Sequence, residues 1–71
     1  MVDPGALQEL KDKEPFETFR IHLSDGRWYD VTNPDLFVIQ ESQLFLAFPR
    51  SNRFTIISFQ NITSVEAPAA A

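Results

Sequence analysis

The 71-residue chain contains no cysteine, which excludes disulfide bridges and thiolate metal sites as sources of stability. Its single histidine, His22, is too few for a multi-histidine metal site or for a pair of proton shuttles. With only two glycines, the chain also lacks a glycine-rich phosphate-binding loop. We therefore predict a protein that is not an enzyme and that carries no cofactor and no metal ion.

Long apolar runs and an excess of positive charge are missing as well. No run approaches the roughly 18 apolar residues that a membrane helix needs, and the first ten residues lack the basic start and apolar centre of a signal peptide. We expect a cytoplasmic protein that does not bind a membrane. Ten acidic residues against six basic ones give a net charge of −4, which disfavours RNA as a partner.

The size of the chain suggests a way in which it is stabilised. A chain of 71 residues, 44% of them apolar, forms one domain near the lower limit of what a single hydrophobic core can hold. Without disulfides or metal, association with further copies is the common remaining source of stability. We therefore expect a homo-oligomer.

The two ends of the chain differ in composition from its centre. Pro, Gly and Ala without periodicity at 1–5 and 67–71 predict disordered tails on either side of one domain at 6–66. At the start of that domain, Leu7 and Leu10 have helical spacing. With Asp3 as an N-cap before Pro4, and Pro15 as a stop, this pattern predicts one short helix.

The rest of the chain alternates short apolar stretches with turn residues. Asp25-Gly26 predicts a hairpin in which glycine takes a positive φ, and Asn33-Pro34-Asp35 interrupts the pattern because proline has no N–H for a ladder. The predicted strands cover residues 17–24, 27–32, 36–40, 43–48, 53–59 and 61–66. The stretches 27–32 and 36–40 count as one strand that bends at Asn33-Pro34, which gives five strands in all. So many short strands with short loops predict a mainly β fold: a small SH3-like antiparallel barrel with five strands and one short N-terminal α-helix.

Several apolar residues on these strands are candidates for an oligomer interface. Alternation places Trp28 on the face opposite Tyr29, pointing outward, where the helix or a partner subunit covers it. His22 is expected on the surface beside Arg20. The strand at 53–59 is apolar on both faces, and we expect its edge to pair with strand 61–66 of a neighbour. The predicted interface residues are Trp28, Ile57, Phe59 and Ile62, and the aromatic residues expected in the core are Phe19, Phe45 or Phe48, Phe54 and Phe59.

Three short motifs carry a resemblance to a known family. The motifs Leu23-Ser24-Asp25-Gly26, Asp35-Leu36-Phe37-Val38-Ile39 and Ile62-Thr63-Ser64-Val65 resemble those of Sm-like proteins, which include the bacterial RNA chaperone Hfq. The resemblance covers roughly residues 6–66 and implies an Sm-like barrel that assembles into rings. The stretch PFETFRIHLSDGRWYDV also resembles the opening of uncharacterised short bacterial proteins, and this likeness implies no activity.

The chain departs from the Sm-like pattern where that family binds RNA. An acidic Gln40-Glu41-Ser42 follows the apolar run in place of the family's asparagine, and Phe59-Gln60-Asn61 replaces its basic stretch. Amides and aromatic rings can nevertheless contact bases. Two hypotheses remain: a non-catalytic homo-oligomeric scaffold or interaction module, or an Sm-like RNA-binding protein. The candidate RNA contacts are Phe37, Gln40, Gln60 and Asn61.

Overall fold

The computed structural model describes residues 3–68 of the chain and begins with the helix α1, Pro4–Asp12. The predicted N-cap is confirmed, because the Asp3 carboxylate accepts a hydrogen bond of 3.0 Å from the Gly5 N–H. The helix begins within the segment predicted as a tail, since Pro4 suits the first helical position. Residues 1–2 and 69–71 of the predicted tails lie outside the described residues.

Six antiparallel strands follow α1 in the described part of the chain. They are β1 Phe19–Leu23, β2 Trp28–Val31, β3 Phe37–Ile39, β4 Gln43–Phe48, β5 Arg53–Ser58 and β6 Ile62–Glu66. They form two three-stranded sheets with the strand orders β2-β1-β6 and β3-β4-β5. The mainly β prediction is confirmed. The predicted closed five-stranded barrel is not observed, because within residues 3–68 no strand ladder joins the two sheets.

The division into two sheets has a local cause at Asn33-Pro34. Proline cannot donate to a ladder, and here it begins a 3-10 turn at Pro34–Leu36. The Asn33 side chain stabilises this turn by accepting a hydrogen bond of 2.9 Å from the Asp35 N–H. The bend expected in one long strand is therefore a break that ends β2 and lets β3 begin in the other sheet.

The hairpin between β1 and β2 has the predicted geometry. Gly26 has a φ of 91°, the positive value expected for this turn. Leu23 N–H donates to the carbonyl of Arg27 at 2.8 Å, which closes the loop. The Asp25 carboxylate holds the loop from outside, because it accepts hydrogen bonds from the backbone and the side chain of Arg27.

The core lies between the two sheets and is closed at one side by α1. Phe19 of β1 and Phe37 of β3 contact each other edge-on with ring centroids 5.6 Å apart, and thereby join the sheets. The buried residues are Leu7, Phe19, Ile21, Leu23, Val31, Phe37, Leu44, Leu46, Ile57, Phe59 and Ile62. Among residues 3–68, α1 is too short to cross a bilayer and no other α-helix is present.

The face of β5 that meets the core differs from the prediction. Ile57 and Phe59, both predicted at the oligomer interface, are only 4% and 3% exposed within one chain, which agrees with the core position that was also expected for Phe59. Phe54, expected in the core, is 62% exposed. The strand ends at Ser58, and the following 3-10 turn at Phe59–Asn61 directs Phe59 inward. Because Ile57 and Phe59 both fill the core, Phe54 and Ile56 form the outward face of β5.

Candidate functional site

The strand β5 exposes one edge to solvent. It is the last strand of its sheet and pairs with β4 on one side only, within the described residues. Phe59 N–H donates to the carbonyl of Ser42 at 3.2 Å, and the same register pairs Ile57 with Leu44. In an antiparallel ladder, the residues that exchange hydrogen bonds alternate with residues that do not. The backbone groups of Phe54, Ile56 and Ser58 therefore point away from β4, toward the free edge.

Two shallow cavities lie beside this free edge. One of about 250 Å³ is lined by the β1–β2 hairpin and by Thr55 to Ser58, and another of about 400 Å³ continues past Asn52 to Thr55. Tyr29 and Thr55 line both cavities. Both cavities therefore lie beside β5, and residues of the β1–β2 hairpin line the first of them together with Thr55 to Ser58.

The outer surface of the same sheet is apolar. Val38, Phe45 and Ile56 lie side by side across β3, β4 and β5. Two residues farther along β4, Ala47 pairs with Phe54 of β5 on the same face. The rings of Phe45 and Phe54 stack with centroids 5.0 Å apart. We call Val38, Phe45, Ala47, Phe54 and Ile56 the outer apolar face. It carries no charged side chain at any of these positions.

The exposure of this face is large for so small a protein. Phe54 is 62% exposed, Ile56 55% and Val38 46%. An exposed fraction of this size leaves on the order of 100 Å² of Phe54 alone in contact with water. Contiguous apolar surface of this kind is typical of interaction sites, whereas single scattered apolar residues are not. The free edge and the outer apolar face meet at β5, and together they form the candidate interaction site.

The outer face of the other sheet is charged instead. Arg20 on β1 donates to both carboxylate oxygens of Asp30 on β2, at 2.7 and 3.1 Å. The guanidinium carbon of Arg20 also lies 3.9 Å from the ring centroid of Trp28. The hydrogen bonds from Arg20 hold the pKa of the Asp30 carboxyl below its usual value, against a smaller opposing effect of desolvation. This arrangement orders the outer surface of the sheet β2-β1-β6.

Trp28 and His22 both point outward, as predicted. Trp28 is 51% exposed, and α1 does not cover it, since the helix packs against β3 through Lys11, which donates to the carbonyl of Phe37 at 2.7 Å. His22 Nε2 lies 2.6 Å from a carboxylate oxygen of Glu66 on β6. This contact links β1 to β6 and explains His22 as part of the sheet surface.

The four candidate RNA contacts do not come together. Phe37 is fully buried, so its ring cannot stack on a base. Gln40 lines a depression beside Val38 and Phe45, and it accepts a hydrogen bond from Gln43 at 2.8 Å. Gln60 lines a different depression that also contains Glu41, whereas Asn61 lines the cavity beside β5.

The predicted interface residues also do not form one surface. Trp28 is exposed on the charged sheet, whereas Ile57, Phe59 and Ile62 are buried in the core. The residues that sequence reasoning missed are those of the outer apolar face. For Phe54 and Ile56 the signal was present, because 53–59 is apolar on both faces. That pattern alone does not decide which face meets the core.

Comparisons with protein-family models, curated proteins and solved structures found no match to this chain.

Proposed function

We propose that this protein is a non-catalytic interaction module that assembles with copies of itself through the free edge of β5, as an Sm-like homo-oligomeric scaffold. The observation that carries the proposal is the run Phe54, Ile56 and Ser58, whose backbone groups face the free edge while both apolar side chains remain exposed. The resemblance to Sm-like proteins supports assembly through strand edges.

The composition of β5 supports this role for its edge. Exposed edge strands are normally protected by lysine, proline, a bulge or inward-pointing charge, since an unprotected edge pairs with another chain. β5 runs for six residues in unbroken register with β4, and its interior positions, Phe54 to Ile57, carry no charge and no proline. Its single charged residue is Arg53, at the very start. The strand therefore has the features of an edge that pairs with a partner.

The RNA-binding alternative has less support from the side chains. The net charge is −4, and Glu41 lies in the depression that Gln60 lines. Phosphate contacts need positive charge that is gathered in one place. RNA binding is nevertheless a distinct outcome of a simple experiment: anisotropy of short labelled uridine-rich and adenine-rich RNA at about 50 mM salt. Submicromolar binding that weakens as salt is added would favour this alternative.

Light scattering coupled to gel filtration tests the main proposal. We expect a discrete mass of two or more chains of 8.1 kDa each. The variant Ser58→Pro removes one edge-facing N–H, and the backbone of Ser58 suits proline because its φ is −71°. We expect it to shift the mass toward the monomer while circular dichroism stays unchanged.

The matched control is Ser58→Ala, which removes the hydroxyl and keeps the N–H. We expect it to retain the mass of the parent protein. A parent protein that elutes as a monomer at high micromolar concentration would overturn the proposal. So would a Ser58→Pro variant that is folded and retains the full oligomeric mass.

A further inference from the structure

We propose that the partner of β5 is β5 of a second copy, in antiparallel pairing about a two-fold axis at Ile56. This inference rests on the proposed function, because it assumes that the edge of β5 is the assembly surface. It goes further by naming the partner strand and by predicting a closed dimer. The β3-β4-β5 sheet of one copy and the β3-β4-β5 sheet of the other would then join into one continuous sheet.

The positions of the edge-facing residues carry this inference. Phe54, Ile56 and Ser58 are spaced symmetrically about Ile56, and all three direct their backbone groups outward. A two-fold axis at Ile56 pairs Ile56 with itself and pairs Phe54 with Ser58 of the partner subunit. Each of these is a pair that exchanges both N–H···O bonds. Every edge-facing backbone group of the three residues thereby gains a partner, in an interface that closes on itself.

The charges on β5 are compatible with self-pairing. Arg53 is the charged residue of the strand, and it lies at one end. In the antiparallel arrangement the two copies of Arg53 lie at opposite ends of the pair, about 20 Å apart. Like charges directly opposite each other would oppose pairing, and this arrangement avoids them. The centre of the interface contains isoleucine against isoleucine.

The outer strands of the two sheets other than β5, which are β2, β3 and β6, have protected edges. Among the strands of a second copy, this leaves β5 as the partner for β5. β6 is the strand that an Sm-like ring would use, but its pairing with β1 shifts between His22 and Leu23 and leaves Thr63 as an extra residue. Such a bulge bends a strand and blunts its edge. β3 is only three residues long, and Lys11 of α1 binds the carbonyl of Phe37. β2 has four residues and carries the charged Asp30.

The outer apolar face supports the same geometry. The side chains of Phe54 and Ile56 project to that face, so β5 pairing sets the outer apolar faces of the two copies side by side. Ile56, 55% exposed in one chain, is then covered by Ile56 of the partner subunit. Cross-strand pairs of β-branched side chains stabilise a sheet. Backbone pairing and apolar contact therefore occur at the same residues.

The absence of cysteine makes a crosslinking test direct. In Ile56→Cys, the two sulfur-bearing residues face each other across the axis with Cα atoms about 5.5 Å apart, within the range of a disulfide. We expect mild oxidation to convert most molecules of this variant into a covalent dimer. Ile56 is exposed, so the variant keeps the core intact.

Phe54→Cys is the matched control, since Phe54 is at least as exposed as Ile56. In the proposed dimer its two copies are offset by four residues, about 13 Å, so oxidation should leave it largely unlinked. A mixture of Phe54→Cys and Ser58→Cys proteins should instead form mixed disulfides, because these positions oppose each other. Random collision would link all three single variants to a similar extent and would overturn the proposal.

The mass of the unmodified protein separates this inference from the proposed function. We expect light scattering to give the mass of two chains, twice 8.1 kDa. A larger ring that Ser58→Pro dissociates, with Ile56→Cys unlinked, would overturn β5–β5 pairing and leave the proposed function standing. A monomer at all concentrations would overturn both.

Discussion

Two adjacent isoleucines of β5, Ile56 and Ile57, should respond very differently to truncation. Ile57 is 4% exposed and contributes to the core, whereas Ile56 is 55% exposed on the outer apolar face. Truncation of a buried isoleucine to alanine removes apolar contacts and leaves a cavity, at a cost of about 2–5 kcal/mol. Truncation of the exposed neighbour should cost less than about 1 kcal/mol in the monomer.

This difference is large compared with the stability of the whole domain. At roughly 0.05–0.15 kcal/mol per residue, a chain of 71 residues has a free energy of unfolding of about 4–10 kcal/mol. Ile57→Ala would therefore remove a large part of it, and a loss of 2 kcal/mol corresponds to a fall of at least about 8 °C in Tm. Ile56→Ala should lower Tm by no more than about half as much.

Urea and thermal denaturation followed by circular dichroism measure both variants. The measurements belong at a chain concentration low enough for gel filtration to give a monomer, because association also raises the apparent stability. Equal losses in the two variants, or a larger loss for Ile56→Ala, would refute the assignment of β5's two faces.

Three further predictions concern the hairpin, the charged sheet and the free edge. Gly26→Val should destabilise by more than about 1 kcal/mol, measured as a fall in Tm, because valine resists a φ of 91° although its Cβ would meet no atom within 4 Å. Because the pKa of Asp30 is lowered in the folded state, the ionised carboxylate stabilises the fold above the ordinary pKa of 3.8, and this stabilisation is lost as pH falls through the folded-state pKa. Between neutral pH and pH about 2, the Tm of Asp30→Asn should therefore fall less than the Tm of the parent protein. A parallel acid profile for both proteins would contradict this. If the proposed dimer forms, Ile56→Lys should dissociate it in light scattering because this variant places two like charges across the proposed axis. Val38→Lys, two strands from the edge, should leave the mass unchanged.

The local features of the fold followed directly from the sequence. Asp3, Pro4 and Pro15 bracket a helix because their backbone and side-chain chemistry act within a few residues. Asp25-Gly26 gives its turn for the same reason, and the strand at 43–48 has the predicted bounds. These features depend on short-range interactions, which the sequence contains in full.

The relation between the strands depended on longer-range packing. Asn33-Pro34 predicts an interruption, but whether the chain bends within one sheet or passes to a second sheet depends on where β3 finds its core contacts, such as Phe37 against Phe19. The face of β5 was mistaken for a related reason. Both faces are apolar, and the choice is made by Phe59, whose 3-10 turn lies beyond the strand and directs its ring into the core.

The geometry of β5 explains why its edge-facing backbone groups and its exposed apolar side chains belong to the same residues. In a strand, alternate residues share a face, and in an antiparallel pair alternate residues also share an edge, so the two sets coincide. On β5 this common set contains Phe54 and Ile56, which are exposed, and Ser58, whose small side chain would leave room for Phe54 of the partner subunit in the proposed dimer. The inward set, Thr55 and Ile57, is bonded to β4, and Ile57 is buried in the core. One strand thus divides its residues between a set that holds the monomer together and a set that faces the free edge.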